Sequence, residues 1–186
     1  MMLGKSLGLL ALCTLLPMGS IPAAAVREPG VRQTFDQQLS FTESEVMNLV
    51  RTMPADKYDF APSQGAFPHA RTFGVQARHI AFCLHEVAIA LLGEKMLAHP
   101  DQEGPRNITG KEDLEHYLQD AFAHAHRALG TISNENLLEQ IPDPYVPGRH
   151  TTRLNAATIF LSHTWDHYGQ MVEYLRMNNL TPPGHK

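Results

Sequence analysis

The chain has 186 residues, 43% of them hydrophobic and 18% charged. That suits one ordinary domain with a sizeable core and excludes a charge-dominated disordered chain. The formal net charge is −4, so no basic excess is available to neutralise phosphates, which argues against a nucleic-acid binder. Histidine is the outlier, with 11 copies against 15 Lys plus Arg. Because imidazole is a common metal ligand and titrates near neutral pH, the location of these residues carries the functional argument.

The first 25 residues read as an export leader, cleaved before Val26. Lys5 gives a short positive start, Leu7 to Leu16 an apolar run ended by Pro17, and Ala23-Ala24-Ala25 the small residues for cleavage. The run is too short to span a bilayer, and no later stretch reads as a membrane span, so no stable membrane insertion is expected. Cleavage leaves residues 26–186 as a single domain. It removes Lys5 and Cys13, so Cys83 is the one remaining cysteine and no internal disulfide can form. A periplasmic or secreted location follows from this reading. Asn107-Ile108-Thr109 matches a glycosylation acceptor, but a triplet this short arises readily by chance.

The mature chain reads as four helices joined by loops rich in Pro, Gly and Asp. The first spans about Gln33–Met53, where Phe35, Leu39, Val46, Leu49, Val50 and Met53 share a face. The second spans about Thr72–Met96 and is apolar round most of its circumference. Only Arg78 and His85 form a clear polar strip, so this helix belongs in the middle of a bundle. The third spans about Lys111–Leu129, with Gly130 as its stop. A long connection, Thr131 to His150, suggests a crossover before the fourth helix at about Thr152–Met177. No useful segment alternates with period two, so no sheet is expected. The fold predicted is an all-α four-helix bundle.

A metal site in such a bundle needs ligands that project inward from facing helices. His163 and His167 lie one turn apart beside the apolar face of the fourth helix, a spacing at which two imidazoles can share one metal. Gln170 and Tyr174 continue their line. An isolated pair of this kind is as readily two core-edge histidines hydrogen-bonded to backbone or carboxylates. His79, in the most apolar segment of the chain, is the best third partner, and three neutral nitrogens plus water make a site with one open position. His116, Asp120 and His124 are spaced like ligands along the third helix, yet their positions fall opposite its apolar face and predict a solvated row. His126, His85, His150, His99, His69 and His185 read as surface or loop residues.

Cys83 lies one turn after His79 on the same stripe. It reads first as a small buried hydrophobe, with a thiol near the metal, or even a fourth ligand, as the sharper alternative. His163-Thr164-Trp165-Asp166-His167 matches the order of the inverted zinc-protease motif with Asp in place of Glu. The sequence offers no downstream carboxylate ligand on a further helix, so Asp166 reads more simply as an acceptor beside the ligands or at the surface.

Several segments together resemble the DinB/YfiT-like superfamily. They are Met53 to Pro62, Phe73-Gly74, Ala77-Arg78-His79-Ile80-Ala81, His163 to Gln170, and Tyr174 to Asn178, spread from about Gln33 to Pro183. The resemblance implies a four-helix bundle, often dimeric, in which three histidines bind a divalent metal such as nickel or zinc. The family's first histidine matches His79 and its closing pair matches His163 and His167. It also implies either thiol-dependent S-transfer or isomerisation with small thiols such as bacillithiol or mycothiol, or metal-dependent hydrolysis. The export leader and Cys83 depart from the usual pattern.

The expectation is therefore an exported metal-binding bundle whose substrate is a small molecule of unknown identity, with a homodimer as its oligomeric form. His79, His163 and His167 would hold the metal, and Gln170, Asp166 and Tyr174 are the candidates to contact substrate or ligands. The competing expectation is a non-catalytic metal- or ligand-binding module with a structural or vestigial site. An open coordination position separates the first from the second.

Overall fold

The computed structural model describes residues 30–63, 69–95 and 102–184. The leader read at residues 1–25 lies outside them, as do His99 and His185. Four helices dominate: α1 (Val31–Thr52), α2 (Phe73–Leu92), α3 (Lys111–Leu129) and α4 (Arg153–Met177), with a single 3-10 turn at Ala55–Lys57. The all-α bundle expected from the sequence is the fold observed.

Local chemistry sets the helix ends. Thr72 and Thr152, read as first helical residues, are instead caps: each hydroxyl accepts from the backbone N–H three residues on, at Val75 and Asn155. α2 stops at Leu92, four residues before the expected end. Gly93 adopts φ 68°, its N–H donates to Ala90 O, and Glu94 N–H donates to Ile89 O. That paired arrangement closes the last turn, and glycine takes the left-handed conformation without steric cost.

α2 packs against α3 and α4, and α1 packs against the same two helices. The connections α1–α2 and α3–α4 therefore both join helices across the diagonal of the bundle. The long connection before α4 is the crossover its length suggested. Leu39, Val46, Leu49, Val50 and Met53 of the first face are all buried. Against the expectation that no later stretch reads as a membrane span, α2 is long and apolar enough to cross one, but 83% of its most apolar window is buried inside the bundle. Its Ile80, Leu84, Val87 and Leu91 join Leu118, Phe122, Phe160 and Met171 in one core.

One expectation needs correction. A small sheet does exist: β1 (Gln140–Pro142) pairs antiparallel with β2 (His150–Thr152), Ile141 opposite Thr151. Three-residue strands are too short for a period-two pattern to register in sequence. Between them, Asp143 ties the turn. Its Oδ1 accepts from the N–H groups of Tyr145 and Val146, and its Oδ2 from Arg149 Nε at 2.8 Å. Burial pushes the Asp143 carboxyl up, but these donors outweigh it and hold the group below its ordinary value.

Arg78, on the polar strip of α2, is buried with the rest of the helix. It is 6% exposed, and its guanidinium donates to the carbonyls of Glu103 at 2.7 Å and Ile108 at 3.1 Å. The segment after residue 101 is thereby strapped onto α2. Gly104 makes this possible: at φ +74° a Cβ there would sit 3.1 Å from Phe82 Cβ and 3.3 Å from Arg78 Cγ. Gly104→Ala is expected to destabilise the fold by about 1–3 kcal/mol through backbone strain and crowding. Thermal unfolding of the two proteins checks it, and an unchanged midpoint would count against the strap.

Candidate metal centre

The straps on α2 determine how His79 is presented. It is 2% exposed, and its Nδ1 faces the Gln102 carbonyl at hydrogen-bond distance. With Nδ1–H donating there, Nε2 carries the free lone pair. That atom lies 3.3 Å from His163 Nε2, and His163 Nε2 lies 3.1 Å from His167 Nε2. The ring of His79 is also 4.6 Å, centroid to centroid, from that of His167. The three histidines chosen from the sequence thus meet, two from α4 and one from α2.

The spacing has a chemical meaning. Nitrogen ligands about 2.0–2.1 Å from one cation, at angles between octahedral and tetrahedral, stand about 2.9–3.4 Å apart. Both measured separations fall in that window. Hydrogen bonding alone does not explain the cluster. With His79 Nε2 bare, a single proton on His163 or His167 can make only one of the two N···N contacts a hydrogen bond. A cation between two of these rings would engage both of their lone pairs at once. His167 is 5% exposed and its Nδ1 has no hydrogen-bond partner, so packing and its Nε2 side hold the ring. These residues fit a divalent metal.

The surroundings keep the imidazoles neutral, as a ligand set requires. Burial lowers His163 to about 4 and His167 to about 3, with the neighbouring rings and the Arg71 charge adding to the effect. Burial also lowers His79, against the opposing pull of the Gln102 carbonyl. Arg71 thus acts on the whole cluster, and on Cys83 as well.

Cys83 is 2% exposed, with Sγ 3.7 Å from His79 Nδ1 and 3.8 Å from Nε2. The near-equal distances leave the sulfur favouring neither nitrogen. His79, Cys83 and His163 nevertheless offer donor atoms that all lie within 4.8 Å of one another, so the thiol belongs to the metal-competent group. Burial, reinforced by the Glu86 charge, pushes the thiol up to about 12. In this environment it is protonated and a poor nucleophile.

The remaining sequence candidates fall in different places. Gln170 and Asp166 are exposed and linked: Gln170 Nε2 donates to Asp166 Oδ2 at 3.2 Å. Gln170 Oε1 accepts from Gln76 Nε2 at 2.7 Å, which ties this exposed pair to a buried residue one turn before His79. Tyr174 is buried, and its hydroxyl donates to the Arg71 carbonyl at 3.0 Å. It holds the Arg71 segment.

Sequence reasoning missed Gln76, Arg71 and Tyr145. Gln76 had a signal, being a polar residue three positions before His79 on the least polar helix. Arg71 and Tyr145 sit in connections, where no periodicity points. Tyr145 has its ring 6.3 Å from that of His163 and its hydroxyl at the Cys83 thiol. Two further expectations fail. His124 is 8% exposed, because α3 turns it onto α2 against His85, which is half-buried. His126 is half-buried between two α1 carboxylates, with Nδ1 2.6 Å from Asp36 Oδ1 and Nε2 3.2 Å from Glu43 Oε2. Both rings lie at helix–helix seams, which single-helix projection cannot see. His116, Asp120, His69 and His150 are exposed as expected.

A four-helix bundle with histidines converging from α2 and α4 defines a class of metal-competent bundle proteins. The profile of the DinB superfamily matches residues 38–171, and the chain belongs to that superfamily. Two solved structures share the fold. A DinB-like protein from Bacillus cereus ATCC 10987 superposes with TM-score 0.62 at 19% identity, over 82% of this chain and 95% of that one. The DinB-like protein YjoA from Bacillus subtilis gives 0.59 at 15% identity, over 80% and 93%. No protein of curated function matches the sequence.

The burial of Cys83 sets a checkable outcome. A thiol reagent at neutral pH is expected to label it slowly in the folded protein, with or without added metal, and rapidly after unfolding. Rapid labelling of the folded protein that metal suppresses would instead make Cys83 a ligand.

Proposed function

We propose that the mature protein is an exported, divalent-metal-binding bundle in which His79, His163 and His167 are the ligands and an open position faces substrate. The carrying observation is the convergence of Nε2 atoms at 3.1 and 3.3 Å on His163. Nickel and zinc are the cations that suit an all-imidazole set. When bound, such a metal polarises a substrate oxygen or lowers the pKa of a water or thiol.

The chain's own residues have distinct parts in this reading. The Gln102 carbonyl fixes the His79 tautomer so that Nε2 faces the centre. Gln76, Gln170 and Asp166 form a hydrogen-bonded file from the buried end of α2 to the surface, suited to orient a polar substrate group. Arg71 contributes a positive charge felt by all three histidines, which favours an anionic substrate or leaving group. Burial and the Glu86 charge hold Cys83 protonated, which disfavours it as the nucleophile. Any thiol chemistry therefore uses a thiol brought by the substrate, and hydrolysis is the reaction that needs none. A non-catalytic, ligand-binding role is the alternative. A substrate screen of metal-loaded against chelated protein separates the two.

Two measurements test the assignment. His79→Ala, His163→Ala and His167→Ala are each expected to reduce tightly held metal by at least about tenfold in affinity, whereas His116→Ala leaves it unchanged. Elemental analysis of untagged protein reads this directly, and tight metal retained at full stoichiometry in the His163→Ala/His167→Ala protein would sink the reading. Protein from the native host is expected to begin at Val26 and to fractionate outside the cytoplasm. Amino-terminal sequencing checks it, and an intact Met1 in the cytoplasmic fraction would overturn export.

A further inference from the structure

A second pair of histidines meets on the other side of α2. His85 stands six residues after His79, about 240° further round the helix at 3.6 residues per turn, so the two rings face different seams. His85 Nδ1 lies 2.9 Å from His124 Nδ1 on α3. On the far side of His124, Nε2 is buried without a hydrogen bond, and Glu94 Oε2 stands 3.4 Å away. That carboxylate, just past the end of α2, attracts a proton to Nε2 and leaves Nδ1 as the lone-pair nitrogen. A carboxylate behind an imidazole whose other nitrogen faces a partner is the arrangement that orients histidines for metals. The Tyr117 ring lies 5.2 Å from that of His85, tilted 32°, and packs that ring in place. Asp120, one turn before His124, is exposed and adds negative charge at His85, while Arg127 opposes it.

We propose that His85 and His124 form a second cation site through their Nδ1 atoms, distinct from the triad and set in the α2–α3 seam, for a borderline transition-metal ion. The 2.9 Å separation is that of two nitrogens at right angles about 2.0–2.1 Å from one ion. Right-angled nitrogen and oxygen sets with water completing them suit Cu²⁺ and Ni²⁺ before tetrahedral Zn²⁺. The site takes its two ligands from different helices, so a bound ion would clamp α2 to α3.

The probe is Cu²⁺, titrated into mature protein with excess glycine to suppress weak surface binding, and read by stoichiometry and electron paramagnetic resonance. The His163→Ala/His167→Ala protein is expected to bind one Cu²⁺ with hyperfine coupling to two nitrogens. Adding His124→Ala, or the milder His85→Gln, is expected to weaken this binding by at least about tenfold. In the protein with an intact triad, His85→Gln should lower the stoichiometry by one equivalent. Circular dichroism confirms that each variant is folded. No Cu²⁺ bound in the triad-deleted protein, or binding untouched by both substitutions, would overturn the site and leave His85–His124 as a plain imidazole hydrogen bond. Because the substitutions at His85 and His124 are read with and without the triad, failure here is distinguishable from failure of the triad assignment.

Discussion

The structure depends on the burial of α2 on nearly every side. A helix this enclosed cannot leave its polar groups to water, and an unpaired buried polar group costs as much as a lost hydrogen bond or more. Four polar residues of α2 each fasten another element. Gln76 reaches Gln170 on α4, Arg78 reaches the carbonyls of Glu103 and Ile108, and His79 reaches both the Gln102 carbonyl and His163. His85 reaches His124 on α3. The same set of constraints that holds the bundle together places imidazole nitrogens where they converge.

Fold and site are consequently coupled through the segment after residue 101. Arg78 anchors that segment, Gly104 lets its backbone approach Phe82, and the result is a carbonyl at Gln102 in position to fix one tautomer of His79. A rearrangement of this connection would alter the histidine cluster without touching His163 or His167. The loop between β1 and β2 acts similarly from the other side. Asp143 folds it so that Tyr145 reaches Cys83, whose thiol burial and the Glu86 charge keep protonated against the opposing Tyr145 hydrogen bond.

Much of this was legible in the sequence. The apolar stripe of α1, the all-round apolar surface of α2 and the stop at Gly130 gave four helices in their right places, since helical periodicity is strong over twenty residues. The inward direction of His163 and His167 followed from the same projection, and His79 from its place in the most apolar segment. What escaped was whatever depends on two helices at once. His124 lies off the Leu114–Leu118–Phe122 face, so projection put it in water, yet α2 lies on that side and buries it. His126 was misread for the same reason, α1 being its cover. The β1–β2 pair escaped because three residues are below the length at which alternation can be read.

The charge distribution explains why these histidine clusters are tolerated. Neutral imidazoles buried together repel no charge, but they leave lone pairs opposed, and burial with mutual approach drives both clusters away from protonation. A proton would relieve the lone-pair opposition only by placing a charge in a poorly solvated seam. A divalent cation relieves it with several ligands sharing the charge, and near the triad Asp166 supplies a counter-charge against that of Arg71. The protein chain is overall acidic, which favours cation entry. What the low proton affinity of these seams provides is imidazoles that stay neutral with their lone pairs free, which is the form a metal ligand takes.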